Sequence, residues 1–183
     1  MEYFDVCDAR GEPTGEIVDR DRAHREGIRH RTAHVWILRQ RDGRTEVLLQ
    51  KRSRCKDSFP GLYDTSSAGH VPAGDEPLGS ALRELGEELG LRAGAEDLRF
   101  IGTIENVYEK RFRGKLFRDN EHCSVYVYTR PVDAAALRLQ PDEVERVDWF
   151  DLEEVHREIA HSRDRFCVPR EGLELLARSL KKE

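Results

Sequence analysis

Residues 77–89 constrain this chain more than any other stretch. Pro77 suits a first helical turn, Asp75 or Glu76 can cap it, and Gly90 suits a left-handed stop. Leu78, Ala81, Leu82, Leu85 and Leu89 recur at helical spacing and form one apolar stripe. A helix striped in this way must bury that side against other structure. Glu84, Glu87 and Glu88 stand at i, i+3 and i+4, so three carboxylates share an adjoining face. Like charges that close destabilise an isolated helix. A hard divalent cation such as Mg²⁺, which takes oxygen ligands, would relieve the repulsion. Arg83, four residues before Glu87, can hold that carboxylate in one orientation. A glycine-bracketed loop, Gly69 to Gly74, precedes the helix and lets backbone approach a metal or phosphate closely. A merely solvated acidic face would carry the same three charges, so the wider pattern has to decide.

Around this helix the chain reads as mixed α/β. Tyr3–Asp8 and Glu16–Asp19 flank a turn-rich segment and suggest an N-terminal hairpin, followed by a short polar helix over Asp21–Glu26. His34–Leu38 and Val47–Gln50 read as strands joined at Asp42-Gly43, a strong hairpin turn. Thr65–Val71 is small-residue-rich and extended. Leu98–Val107, Cys123–Thr129 and Glu145–Phe150 are further strands; Asp151–Ile159, capped by Asp151, and Glu171–Lys182 are helices. Length (183 residues) and the lack of repeats or composition breaks suit one domain over 1–183. Within it, 1–28 form the hairpin and short helix, 29–160 the core and 161–183 the C-terminal helix.

Charge narrows the partners. Asp+Glu total 36 against 31 Lys+Arg, a net −5, which argues against coating nucleic acid. No apolar run approaches the roughly 20 residues that cross a bilayer. The opening residues have no basic-then-apolar pattern, so a cytoplasmic location is expected. Cys7, Cys55, Cys123 and Cys167 are scattered without a C-x-x-C pair, which suits reduced thiols packed as small hydrophobes.

The full pattern from Gly69 onward is a glycine, five residues, an acid, seven residues, Arg-Glu-Leu, one residue, Glu-Glu, one residue, Gly-Leu. It resembles the signature of the Nudix hydrolase family, which Gly69, Arg83, Glu84, Leu85, Glu87, Glu88, Gly90 and Leu91 match. The one departure is Asp75, where the family has glutamate. The resemblance implies an α/β/α sandwich with a mixed sheet and a loop–helix–loop catalytic motif. It also implies hydrolysis of a diphosphate linkage in a nucleoside diphosphate derivative. Mg²⁺, or Mn²⁺, would be ligated by Glu84, Glu87, Glu88 and the Gly69 carbonyl. Metal neutralises phosphate oxygens and activates water. The general base stays open between Glu84, beside Arg83, and Glu121 on a different segment.

Outside the signature the chain is similar to the branch containing isopentenyl-diphosphate isomerase. The matching stretches are RHRTAH (Arg29–His34), LLQKRSRCKDSFPGLYD (Leu48–Asp64), SAGH (Ser67–His70) and DNEHC (Asp119–Cys123). By that resemblance His30, His70, Asp119 and Glu121 would form a second metal site, with His24 nearby at a slightly different spacing; such mixed N/O ligands suit Mn²⁺ or Zn²⁺. Arg52 and Lys56 match diphosphate-contacting positions. Arg111, Arg113, Lys115 and Arg118 read as a lid or, more simply, a charged hairpin. Trp36 reads as core, while Tyr63 and Tyr108 suit either core or base stacking. The isomerases carry a catalytic cysteine where this chain has Ala68, and alanine supplies no proton. An isomerase is therefore one rival reading. A non-catalytic nucleotide sensor is the other, although a binding module has no need of so many close carboxylates. The expected partner is a small diphosphate-containing molecule; oligomeric state is not legible.

Overall fold

β-branched and aromatic runs become strands where expected, but the strands extend well beyond them. The computed structural model describes residues 2–181. In chain order the elements are β1 (Tyr3–Cys7), β2 (Pro13–Asp19), α1 (Arg20–Glu26), β3 (His30–Arg41), β4 (Arg44–Arg52), β5 (Tyr63–Asp64), β6 (Ser67–His70), α2 (Pro77–Leu89), β7 (Leu98–Phe112), β8 (Lys115–Tyr128), β9 (Val144–Asp151), α3 (Leu152–His161) and α4 (Arg170–Leu180). The helix expected over 171–182 is α4; Lys182 lies outside the described residues.

Local chemistry explains most boundaries. Asp42 (φ 50°) with Gly43 (φ 74°), and Arg113 (φ 47°) with Gly114 (φ 80°), place two consecutive residues in the left-handed region. That is the turn whose twist matches a two-residue hairpin. The basic run 111–118 is accordingly the tip of the β7–β8 hairpin. Asp151 accepts from the Glu153 and Glu154 amides and caps α3 as expected. At α2, Glu76 sits at the cap position without a side-chain bond, so Pro77 and the packed stripe specify that start.

The main sheet runs β5-β4-β3-β8-β7, with β6 pairing β3 and β9 pairing β4. Among the described residues, β3 and β8 form the one parallel strand pair, with a single parallel bridge between Tyr63 and Phe166 besides. Alternation along the strands splits the core. Val35, Ile37 and Leu48 face α2 through Ala81, Leu85 and Leu89. Trp36, Val47 and Leu49 face α3 and α4 through Val155, Ile159, Leu173 and Leu176. The result is a helix–sheet–helix sandwich. Among the described residues, no helix is long and apolar enough to cross a membrane.

The functional geometry begins at a fork. β4 pairs with β3 from Ile37 onward, whereas β6 pairs with the same edge of β3 from Thr32 to Val35. β3 and β4 therefore separate below Ile37 and Leu48. Ser66 fills the branch point: its hydroxyl accepts from the Ile37 amide (2.8 Å) and donates to the Leu48 carbonyl (2.5 Å). Both groups are buried and lie where a strand ladder stops, so without Ser66 they would be left unpaired. Ser66→Ala is expected to cost about 1–3 kcal/mol, or roughly 3–10 °C in Tm; an unchanged melting temperature in thermal denaturation would contradict this role.

Candidate active site

Helix α2 lies across the fork and its acidic face is graded in depth. The Glu87 side chain is 55% exposed and is held by Arg83 (3.0 Å). The Glu84 side chain is 14% exposed and also meets Arg83 (2.8 Å). Glu88 is buried. It accepts from the Ser67 hydroxyl (2.7 Å), the Ala68 amide (3.2 Å) and the Gln50 side-chain amide (3.2 Å). These donors come from both sides of the fork, β6 and β4. Arg83 also donates to the His70 carbonyl (3.1 Å), which ties α2 to β6. A Cβ added at Gly69 would lie 2.1 Å from Glu84 Oε1, so only glycine lets β6 backbone approach that carboxylate. Burial pushes Glu84 up to about 7, with the Glu87 charge adding and Arg83 opposing. Burial likewise pushes Glu88 to about 7, helped by the charge of Glu84.

A second cluster stands opposite. Parallel pairing of β3 with β8 puts His30 beside Glu121. His24 (α1), His30 (β3) and His70 (β6) bring ring nitrogens within 4.8 Å of one another, as do the ligand atoms of His30, Asp119 and Glu121. The Nδ1 atoms of His24 and His30 meet the Arg20 and Ile28 carbonyls (2.9 and 2.8 Å). Those bonds make Nδ1 the protonated nitrogen and turn both Nε2 lone pairs into the cluster, where His24 Nε2 meets His70 Nε2 (3.4 Å). Each Nε2 faces Asp119 Oδ1, at 3.6 and 3.9 Å, beyond hydrogen-bond length. His30 Nε2 and Asp119 Oδ1 are both buried without a partner. Burial lowers all three histidines, His24 to about 3 and His70 well below its ordinary range. Burial and mutual charge hold Glu121 well above the usual carboxylate range, and burial lifts Asp119 to about 6. Neutral imidazoles, carboxylates and orphaned acceptor atoms together form a donor set that fits a divalent metal ion.

The N-terminal hairpin completes this cluster. The Phe4 ring is wholly buried and stacks on His70 (4.5 Å) and His30 (4.9 Å), while Phe117 covers His24 (4.3 Å). Glu84, Glu88, His24, His70, Asp119 and Glu121 all line one cavity of about 290 Å³, with His30 behind it.

Comparison with known proteins fixes the family. The family model for the NUDIX domain matches residues 28–170. The chain belongs to this family. It is 41% identical over 172 residues to Nudix hydrolase 3 of Arabidopsis thaliana, covering 92% of this chain and 21% of that protein; the chain thus spans about a fifth of that relative's length. It is 25% identical to the isopentenyl-diphosphate Delta-isomerase of Aliivibrio fischeri, covering 91% of this chain and 90% of that one. The crystal structure of a Deinococcus radiodurans protein shares the fold (TM-score 0.71, 20% identity, 96% and 98% of the two chains covered).

Against the Nudix signature the structure sorts the expected residues. Gly69, Arg83, Glu84 and Glu88 converge on the cavity, and Glu87 reaches its rim. The three glutamates do not form one of the tight ligand groupings found among the described residues; the histidine side does. Asp75, the departing position, is exposed, and its carbonyl accepts from Arg31, so the shorter acid leaves the cavity unchanged. Arg52 and Lys56 line the cavity but are already engaged. Arg52 donates to the Ser58 carbonyl (3.0 Å), Ser58 Oγ (3.1 Å) and Asp64 (3.1 Å), and Lys56 pairs with Glu143. Trp36 and Tyr63 are core, whereas Tyr108 lines the cavity and donates to Asp119. Buried Cys7 and Cys123 fit the expectation of packed thiols; Cys55 is exposed instead. Sequence reading set His24 slightly apart, and helix α1 restores it to the cluster. His34, given no role from sequence, lines the cavity, and its ligand atom lies within 4.8 Å of those of Glu121 and Cys123.

The shifted carboxylates give a test. In metal-free protein Glu88 titrates near 4.5 unfolded and about 7 folded. The native state therefore binds the extra proton between these values, and that contribution is lost as pH rises through about 7. Glu88→Gln should match wild type near pH ~4.5 and gain on it with rising pH, by about 1–3 kcal/mol above pH ~7. The histidine shifts are common to both proteins and cancel in the difference. Paired thermal melts in chelator check this, and a difference independent of pH would contradict it.

Proposed function

We propose that the chain is a metal-dependent pyrophosphohydrolase that cleaves a diphosphate linkage in a small nucleotide or nucleoside diphosphate derivative. The observation that carries this reading is the burial of Glu84 and Glu88 in one cavity with Asp119 and Glu121. Four carboxylates in low dielectric need positive charge to stay ionised, and Arg83, Lys56 and Arg52 are already paired. Glu84, Glu87, Glu88 and the Gly69 carbonyl would hold Mg²⁺ or Mn²⁺, which when bound neutralises phosphate oxygens and acidifies water. His24, His30, His70, Asp119 and Glu121 would hold a second divalent ion, of Mn²⁺ or Zn²⁺ type.

The chain's own residues then divide the work. Arg83 positions Glu84 and Glu87 and fixes their helix to β6. Glu84 serves as general base, because Arg83 orients its carboxylate (2.8 Å) at the cavity wall where an attacking water would lie. Glu121, which accepts from Asn106 (2.7 Å) and belongs to the histidine-side cluster, is less suited to the task. Water oxygen forms the new bond to phosphorus, the bridging P–O bond breaks, Glu84 takes the water proton, and the severed phosphate leaves as an anion. Lys56 and Arg52 would meet the phosphates, Lys56 by exchanging Glu143 for substrate. The isomerase reading is disfavoured because Ala68 lines the cavity between Ser67 and Gly69 and presents no acid.

A panel of nucleoside di- and triphosphates and diphosphate-linked nucleotides, assayed for phosphate or monophosphate release with Mg²⁺, tests the reading. Turnover of at least one class is expected, and Glu84→Gln and Glu88→Gln should each lower kcat by about 10²–10⁴-fold with the fold retained. Full activity in both variants, or none in wild type with Mg²⁺ or Mn²⁺, would overturn it.

A further inference from the structure

At the inner wall of the phosphate cleft the sheet sets a thiol among donors unlike those of the histidine cluster. β3 and β8 run parallel, with Thr32 opposite Cys123 and His34 two residues further along the same face. His34 and Glu121 line the cleft. Cys123 is wholly buried and belongs to the core cluster of Trp36, Ile104 and Val125. One ligand atom from each of His34, Glu121 and Cys123 lies within 4.8 Å of the other two. Cys123 Sγ stands 3.7 Å from Glu121 Oε2. A sulfur and an oxygen on one tetrahedral zinc, at about 2.3 and 2.1 Å from the metal, are about 3.6 Å apart. The thiol and the carboxylate are thus already at ligand spacing.

Neighbouring groups point to a cation. The His34 ring is under a tenth exposed and makes no hydrogen bond among the described residues. Burial keeps it neutral, so one ring nitrogen is available as a ligand. Thr32 is also buried, beside the thiol, and its hydroxyl has no hydrogen-bond partner of ordinary length. The charges balance as well. One thiolate, one carboxylate and one neutral imidazole offset the two charges of a divalent ion, so the assembled site buries no net charge.

Sulfur sets this group apart. The histidine cluster offers nitrogen and oxygen, and the α2 face offers oxygen alone, whereas thiolate selects softer ions over Mg²⁺. Glu121 belongs to this group and to the one formed with His30 and Asp119, and a carboxylate's two oxygens can serve one ion each.

We propose that His34, Glu121 and Cys123 form a further metal site, taking a thiophilic divalent ion of the Zn²⁺ class that enters from the phosphate cleft and keeps one solvent ligand. The ion displaces the Cys123 thiol proton to water and accepts a sulfur lone pair; no electron is transferred. The site stands apart from the hydrolase reading, because no residue of the α2 acidic face takes part in it.

Titration with Co²⁺, a spectroscopic stand-in for Zn²⁺, tests the site. A near-ultraviolet sulfur-to-cobalt charge-transfer band is expected in wild type, and Zn²⁺ should displace it. Ions held by His24, His30, His70 and Asp119 have no sulfur ligand and give no such band. Cys123→Ser should abolish the band. His34→Gln should weaken the cobalt affinity read from it at least about tenfold, since losing a ligand is no milder than losing its outer-shell support. Cys55→Ser, which removes the exposed thiol, should leave it intact. If Cys123→Ser fails to fold, X-ray absorption at the zinc edge of zinc-saturated wild type decides, with a sulfur scatterer expected at about 2.3 Å. A wild type without the band or without that scatterer, a band that persists in folded Cys123→Ser, or one lost in Cys55→Ser would each overturn the site. None of these readouts involves turnover, so failure of the hydrolase reading leaves them unchanged.

Discussion

Negative charge buried without free positive charge is the condition on which the site depends. Asp119, Glu121 and Glu88 are each under a tenth exposed, and Glu84 is little more. An isolated buried carboxylate either takes a proton or finds a cation. Protein cations are close but committed: Arg83 spans two glutamates and a carbonyl, Arg52 holds a loop, and Lys56 faces Glu143. The three histidines cannot supply the charge, because burial keeps them neutral. A fold that collects acids and lone pairs in this way carries an energetic debt that divalent ions and an anionic ligand together would cancel.

The sheet makes this arrangement affordable in structural terms by splitting. Because β4 and β6 take successive lengths of one edge of β3, backbone groups near the cavity are largely paired and the space between the strands belongs to side chains. Ser66 closes the branch, Gln50 and Ser67 reach Glu88 from its two arms, and Arg83 locks the helix above. The N-terminal hairpin and α1 lie before the region matched by the family model, yet they furnish Phe4 and His24 to the histidine cluster. In this chain the candidate site thus draws on residues outside the stretch that the family model matches.

Much of this was legible in the amino-acid sequence, for identifiable reasons. The α2 stripe and its acidic face follow from spacing alone, since 3.6-residue periodicity survives any context. The Asp42-Gly43 turn and the Asp151 cap depend on local chemistry and were equally readable. Long-range pairing was not. Nothing near His30 signals that β3 begins there, because its first residues are polar and become strand only by pairing with β6 and β8. The β7–β8 hairpin looked shorter than it is, its distal half being charged and exposed on a two-stranded arm. Spacing also placed three glutamates together but could not show that Glu88 is buried and Glu87 is not. Arg52 and Lys56 were identifiable as cavity residues; their existing partners, Ser58, Asp64 and Glu143, are set by tertiary structure.

Diffraction at the manganese absorption edge from Mn²⁺-soaked crystals addresses the account most directly. Anomalous peaks are expected between Glu84 and Glu88 near the Gly69 carbonyl, and among His24, His30, His70 and Asp119. Crystals that take up manganese at neither place, with these side chains unmoved, would contradict it.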